Sequence, residues 1–307
     1  MSKLLWRKAL RDLWLNKPRT LLTVLVIAIG IFAMGGVLSA YGILSREIRV
    51  NYLGTTPASA TLEMENVTDD VLQQVRAQPE IAVAEARESI AARIKIGSNT
   101  WARLTLYVIP DFANMQLASF KPEQGQWPPR EGEMLVERVS LQVGKAQIGD
   151  AVTVKMPNGD ERPLRISGSV HDPSQAPGWM DAAVYGYITP QTLTLLDANA
   201  KLGELKIVVA QNQFDEKYVR TTAQNLAGQL EAQGQRVSRI EVPQPGNHPH
   251  QSQMNALLFL LSAFGFLTLV LGSVLTANMV SALLYSWVIP CQLNQKEIKI
   301  NTLPSQI

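Results

Sequence analysis

Two long stretches of this chain carry no charged side chain, and they constrain its fold more than anything else in the sequence. The 26 residues between Arg19 and Arg46 hold no Asp, Glu, Lys or Arg, and none occurs between Glu241 and Lys296. In the first stretch the apolar run Leu21 to Leu44 reaches ~36 Å as a helix, enough for a ~30 Å hydrocarbon core with some tilt. Leu38-Ser39-Ala40 weakly resembles a signal-peptide cleavage site, but an apolar run of this length exceeds the ~7–15 residues of a signal sequence. In the second stretch the apolar pattern begins near Met254, supports a span from about Asn255 to Leu284, and is predicted to close at Pro290. A helix apolar on every side for this length belongs in lipid.

Flanking charge sets the expected orientation. Residues 1–19 carry a net +5, the segment after the second span +1, and residues 46–253, with 20 basic and 24 acidic side chains, −4. Positive flanks stay in the cytoplasm. The sequence therefore predicts a cytoplasmic segment over 1–19, a span over 20–45, an extracytoplasmic domain over 46–253, a second span over 254–289 and a short cytoplasmic tail over 290–307. The expected location is the cell (inner or cytoplasmic) membrane, crossed twice. Formal net charge of +2 gives no case for nucleic acid as a partner, and the single cysteine, Cys291, excludes a disulfide framework.

The first 19 residues have two readings. Leu4, Leu5, Leu10, Leu13 and Trp14 can share one helical face, with Lys3, Arg7, Lys8 and Arg11 largely off it and Trp6 at the boundary. That pattern suits a helix lying on the cytoplasmic leaflet; the alternative is a plain positive-inside anchor. Gly36-xxx-Ala40 in the first span and Ser273-xxx-Ala277 in the second have the small-xxx-small spacing that lets helices approach in lipid.

The outer domain reads as a split α/β sandwich, which makes the chain an α+β membrane protein. Residues 46–56 continue the first helix and exit it. A strand from Ser59 to Met64 is followed by a short helix, Asp69 to Ala77, capped by Thr68 and Asp69. Strands Ala82 to Ile96, expected to be interrupted, and Ala102 to Ile109 flank a turn at Gly97-Ser98-Asn99. A similar unit recurs as strand Glu204 to Ala210, helix Asp215 to Gln233 and strand Arg236 to Val242. Between the two lies a Pro- and Gly-rich stretch, about 120–203, read as an inserted β-rich lobe with a hairpin turn at Pro157-Asn158-Gly159-Asp160.

Motifs for chemistry are sparse. No G-x-x-x-x-G-K-[ST] loop occurs, so the chain is not expected to bind or hydrolyse a nucleotide itself. His248-Pro249-His250 has no further ligands grouped nearby in sequence and reads as a solvated linker, and Glu85 and Glu88 read as solvated strand edges. No catalytic residue, cofactor or metal is expected. Two tryptophans stand in Pro-rich loops, Trp127 in Gln126-Trp127-Pro128-Pro129 and Trp179 in Pro177-Gly178-Trp179-Met180. Each is read either as a partner contact or as a pin holding its loop on the lobe. With Trp6, Arg7, Arg11 and Trp14 these are the candidate partner-contact residues.

The opening Trp6 to Thr23, W-R-K-A-L-R-D-L-W-L-N-K-P-R-T-L-L-T, resembles the start of MacB/FtsX-like ABC transporter permeases. The segment Gly125 to Asp172 resembles that family's extracytoplasmic core domain, with Gly149-Asp150-Ala151-Val152 and Gly168 to Asp172 matching its "G-D-x-V" and "V-x-G-x-x-x-D" signatures. The resemblance covers about residues 3–284. It implies a permease subunit of an ABC transporter, transmitting the motion of a separate cytoplasmic ATPase to an outer domain to move lipids, lipoproteins, peptides or drugs. Implied partners are the lipid bilayer, the ATPase subunit, and a second permease copy or a periplasmic adaptor protein. After Leu284 the sequence departs from the family, which continues into a basic loop and two further spans; an incomplete, C-terminally truncated chain is the expectation. The alternative is a two-span, membrane-anchored binding or sensor module without transport activity.

Overall fold

The computed structural model describes residue 14 and residues 17–197 and 201–300. The predicted surface helix over 1–19, with Trp6, Arg7 and Arg11, therefore lies outside the described residues except at Trp14 and its last turn, and so does the end of the tail. The chain divides into two compact units, Met1–Ser45 with Ser252–Ile307, and Arg46–Gln251.

The first unit contains two long helices, α1 (Lys17–Gly54) and the last helix of the chain, α7 (Gln251–Ile300). The windows Val24–Ile43 and Gln251–Asn278 are long and apolar enough to cross a membrane, and most of their Leu, Ile, Val and Phe side chains are exposed, Leu258 being a buried exception. The helix continues through Pro290 instead of closing there. A proline removes one N–H donor and crowds one carbonyl, while the bonds on either side persist.

The two helices approach closely at glycines other than those in the small-xxx-small pairs. A Cβ on Gly30 would stand 3.9 Å from the Leu269 backbone, one on Gly265 3.7 Å from that of Met34, and one on Gly272 3.4 Å from a Val26 methyl; on Gly36 it would meet nothing within 4 Å. Gly265 and Gly272, seven residues apart, recur on one face of a helix, as a long helix pair requires. The hydroxyls of Ser262, Thr268, Ser273 and Thr276 each donate to the carbonyl four residues back, at 2.8 Å, so none is left unpaired in an apolar setting.

The second unit holds the outer domain. Strand β1 (Ala60–Met64), helix α2 (Asp69–Arg76) and strand β2 (Ile81–Lys95) open it. Strand β9 (Glu204–Val209), helix α6 (Glu216–Ala232) and strand β10 (Val237–Glu241) close it. The two β-α-β units interleave in the order β10-β1-β9-β2, every neighbour antiparallel. This is the split arrangement expected from the repeat, in which each unit leaves a gap that the other's strand fills. Alternation follows the pleat: Ala60, Leu62 and Met64 are buried while Thr61 and Glu63 face the other way. Those apolar positions pack with Val71 and Val75 of α2 and with Val219, Ala223, Leu226 and Leu230 of α6. Helix α2 begins at Thr68, whose hydroxyl accepts from the Val71 amide, and α6 begins at Asp215, whose carboxylate accepts from Lys217 and Tyr218.

Strand β2 is continuous over fifteen residues where an interruption was expected. Residues 81–87 pair with β9 and residues 88–95 with β3 (Trp101–Val108), so its irregular burial records a change of partners. The intervening region supplies β4 (Lys121–Gly125), β5 (Glu133–Glu137), α3 (Ser140–Gly144), β6 (Ala151–Lys155), β7 (Glu161–His171), α4 (Gly178–Asp181), β8 (Ala183–Ile188) and α5 (Pro190–Leu196). Pairings β2–β3, β3–β8, β8–β5, β5–β7, β7–β6 and β6–β2 close a ring of six strands. This barrel lobe takes in β3 and half of β2 as well as the stretch 120–203. Ile94, Leu104, Leu106, Met134, Val154, Leu164, Ile166 and Val184 pack into one buried cluster of this lobe.

Glycines in this lobe are fixed by close approach. A Cβ on Gly168 would stand 2.6 Å from the Gln124 carbonyl oxygen and 3.0 Å from a Leu135 methyl, on the β4–β7 seam. Gly168→Ala is therefore expected to cost about 2 kcal/mol or more. Gly228, exposed on α6 with nothing within 4 Å of its Cβ position, gives the contrasting case: Gly228→Ala should stabilise by about 0.5–1 kcal/mol. Denaturant unfolding of the solubilised chain, comparing midpoints at equal slope, checks both.

Candidate functional site

The face of the four-stranded sheet opposite its helices is polar, because Thr61 and Glu63 of β1 and Glu204 and Lys206 of β9 point there. Across from it stands the outer side of the barrel lobe, with Tyr107 of β3, Tyr187 of β8 and Phe120. Between them is a cavity of about 400 Å³, also lined by Tyr52, Arg87, Glu88, Asp172, Glu241 and His250. The Tyr107 and Tyr187 rings stack at 5.6 Å and Phe120 lies 4.4 Å from Tyr187.

Asp172, 5% exposed, organises the barrel side of this cavity. It accepts from the Tyr187 hydroxyl at 2.7 Å and from the Ser174 amide and hydroxyl at 2.9 and 2.5 Å. Tyr107 donates to Gln175 at 3.1 Å. Burial, with the Asp172 charge adding to it, holds the Tyr187 phenol well above its ordinary range. Glu88, half-buried, accepts from the Gly203 amide at 2.7 Å, and burial raises its carboxyl above the usual value.

Both connections to the long helices enter the domain here. After α1, the Thr55 hydroxyl bonds back to the Tyr52 carbonyl at 2.7 Å, and the Thr55 and Thr56 carbonyls accept from the Ser119 and Ala118 amides at 2.9 and 3.0 Å. The Ser59 amide then donates to Ile207 of β9 at 2.8 Å. The exit segment is thus tied to both lobes. Ahead of α7, the return segment is held by His248, whose ring meets that of Tyr52 edge-on at 5.0 Å and whose Nε2 donates to the Pro173 carbonyl at 3.0 Å.

The loop that receives the exit segment is anchored to β2 by charge. Glu85 and Arg87, two apart and hence on one face of the strand, pair at 2.6 Å. Glu85 accepts from the Gln116 and Leu117 amides at 2.7 and 3.3 Å, and Arg87 donates to the Leu117 carbonyl at 3.0 Å. Their side chains are 12% and 6% exposed, so the pair is buried where β2 passes from one lobe to the other.

This geometry corrects two readings of the sequence. His248 is 8% exposed and structural, not part of a solvated linker, because the return segment folds under the loop following β7. Glu85 and Glu88 are not solvated edges, because β2 continues into a second lobe that covers them. Of the candidate contact residues, Trp127 packs edge-on against Phe112 and Phe120, at 5.1 and 5.8 Å. Trp179, on the short helix α4, is 63% exposed. Trp14, in the other unit, is 69% exposed with the Lys17 ammonium 4.4 Å over its ring. Trp127 and Trp179 share no ring contact. The residues that do converge, Tyr52, Arg87, Asp172, Tyr187 and His248, carry only a faint signal: Glu and Arg at i, i+2 in a strand, and histidine immediately before an apolar helix. Among the described residues no three His, Cys, Asp or Glu gather to hold a metal.

Removing one member of the buried pair should be costly. Arg87→Met leaves the Glu85 carboxylate uncompensated and is expected to cost about 3–5 kcal/mol, with much of it recovered in the double variant Glu85→Gln/Arg87→Met. Tyr187→Phe, which takes a donor from Asp172, should cost about 1.5–3 kcal/mol. Urea unfolding of each variant against the parent measures these differences.

Comparison with known proteins bears on what this domain is. The family model of the MacB-like periplasmic core domain matches residues 20–235, more than half of the chain. Comparison with curated proteins gives no match. Among solved structures, the chain is similar to the extracellular domain of the noncanonic ABC-type transporter YknZ from Gram-positive bacteria (10% identity, 61% of this chain and 99% of that one, TM-score 0.41). It is similar also to the periplasmic region of MacB from Actinobacillus actinomycetemcomitans (14% identity, 69% and 97%, TM-score 0.38). A third is a domain of a putative permease protein from Porphyromonas gingivalis (10% identity, 64% and 94%, TM-score 0.35). With the family match over most of its length and an apolar helix on each side of that domain, the chain belongs to the MacB-like periplasmic core domain family, as a membrane protein of the MacB/FtsX-like ABC transporter permeases.

Proposed function

We propose that the chain is a permease subunit that delivers the motion of a separate cytoplasmic ATPase to its outer domain, where that motion moves a lipid, lipoprotein, peptide or drug. The observation that carries this reading is the convergence of both helix connections on one joint. Residues 55–56 are bonded to the barrel-lobe loop 118–119, and His248 is bonded to Pro173 of the same lobe. A displacement of either connection is therefore passed to the barrel lobe through hydrogen bonds, backbone to backbone at residues 55–56 and from the His248 ring to the Pro173 carbonyl, and not through free linkers. The buried Glu85–Arg87 pair carries it on to β2, which both lobes share.

In this reading the N-terminus and residues 1–19 are cytoplasmic and contact the ATPase, residues 46–253 are extracytoplasmic, and the chain crosses the cell membrane at both apolar helices. Hydrolysis of ATP belongs to the partner, and this chain catalyses no reaction. A second permease copy or a periplasmic adaptor protein completes the assembly. The two-span binding or sensor module is the competing reading.

Co-purification from native membranes with the product of an adjacent ABC ATPase gene tests the proposal, with a variant lacking residues 1–19 as control. A stoichiometric complex with the full chain, lost in the control, is the expected result. Full chain recovered intact from the membrane without the ATPase would overturn it and favour the binding module.

A further inference from the structure

We propose that His248 is a pH-operated latch, holding the segment that leads into α7 on the barrel lobe at neutral pH and releasing it in acid. The inference deepens the joint described above and rests on that reading for its consequence in transport, while the latch itself is a property of this chain alone.

Both ring nitrogens of His248 are committed. Nε2 lies 3.0 Å from the Pro173 carbonyl, which can only accept, so Nε2 carries the proton. Nδ1 lies 3.1 Å from the His250 amide, which can only donate, so Nδ1 is bare. The two partners together fix the neutral imidazole in one tautomer. Protonation at Nδ1 would set two N–H groups against each other and break the bond to His250. The His248 carbonyl also accepts from the Gln251 amide at 2.9 Å, so the turn that loses this bond is the first turn of α7.

The neighbours oppose the charged form on balance. The Tyr52 ring covers one side and the ring is nearly buried. His250, whose ring centroid is 5.7 Å away, adds repulsion when it is charged, and its Nε2 lies 3.7 Å from the Asp181 carboxylate. Asp172 attracts an imidazolium, but its oxygens already accept from Tyr187, Ser174 and Gln175. Burial is the largest influence, and the His248 ring sits below its ordinary value of 6.5. The sign follows from which form takes the proton first. Well above pH 6.5 the latched and released forms are both neutral and the latch is at full strength. As pH falls below that value the released imidazole protonates while the latched one does not. The latch then weakens by up to about tenfold per pH unit until the latched ring itself protonates.

The chain has three histidines, His171, His248 and His250, so its imidazoles can be followed individually. The test is a ¹⁵N-imidazole NMR titration of the full chain in nanodiscs between pH ~8 and ~5, with hydrogen exchange of residues 244–252 at the same two limits. The expected result is a His248 resonance in the Nε2–H form with a depressed midpoint. Protection of the His250 amide, corrected for intrinsic exchange, should fall at low pH in step with it. His248→Phe, which keeps a ring against Tyr52 but cannot titrate, should abolish the pH dependence, whereas His171→Gln should leave it. An ordinary or raised His248 midpoint, the opposite tautomer, or unchanged protection at low pH would overturn the latch. The wild-type titration decides even if His248→Phe does not fold. None of these measurements involves the ATPase, so loss of the complex and loss of the latch are separate outcomes.

Discussion

Everything in the outer domain depends on one strand belonging to two sheets. Strand β2 gives its first half to β9 and its second half to β3, and a backbone hydrogen-bond ladder runs its full length. Two lobes joined by a loop could drift apart at little cost. Two lobes that share a strand move apart only by breaking ladder bonds or bending the strand. Where the strand changes partners, Glu85 and Arg87 are buried together. Their mutual charge and the bonds to residues 116–117 offset the cost of taking both out of water. The crossing point is also the place where the loop meeting the exit segment is fastened.

The joint is polar where a purely structural contact would more often be apolar. Buried hydrogen bonds are directional, so they transmit position as well as proximity, and breaking one leaves a donor or acceptor unsatisfied. Asp172, Tyr187, Tyr107 and the carbonyls of residues 55 and 56 form such a set. The apolar clusters on either side of it, one under α2 and α6 and one in the barrel, share no buried residue, though Leu202 packs against both. Each lobe has its own apolar core, and directional polar bonds join the two.

The long helices follow another rule. In lipid there is no hydrophobic gain from bringing two apolar helices together, so close packing must come from shape. Gly30, Gly265 and Gly272 provide it by removing side chains where the backbones approach, and the serine and threonine hydroxyls bond to their own helix. The small-xxx-small spacing at Gly36 and Ala40 has the right chemistry on a face turned away from the partner helix.

By itself, the sequence determined what local physics decides. The charge-free runs define two helices apolar on all sides. Alternation and capping at Thr68 and Asp215 define the two β-α-β units, and their repetition implies a split sheet, because each unit leaves one gap. Tertiary structure alone decided the rest. Barrel closure depends on parallel pairings, β3 with β8 and β5 with β7, between residues far apart in sequence, and nothing in a strand's pattern names its distant partner. The continuity of β2 was hidden because its buried face changes as its partner changes. The burial of His248 could not be read from His-Pro-His, because it depends on a loop some 75 residues earlier in the chain folding over it. The joint is therefore a product of folding, assembled from residues each unremarkable in its own sequence neighbourhood.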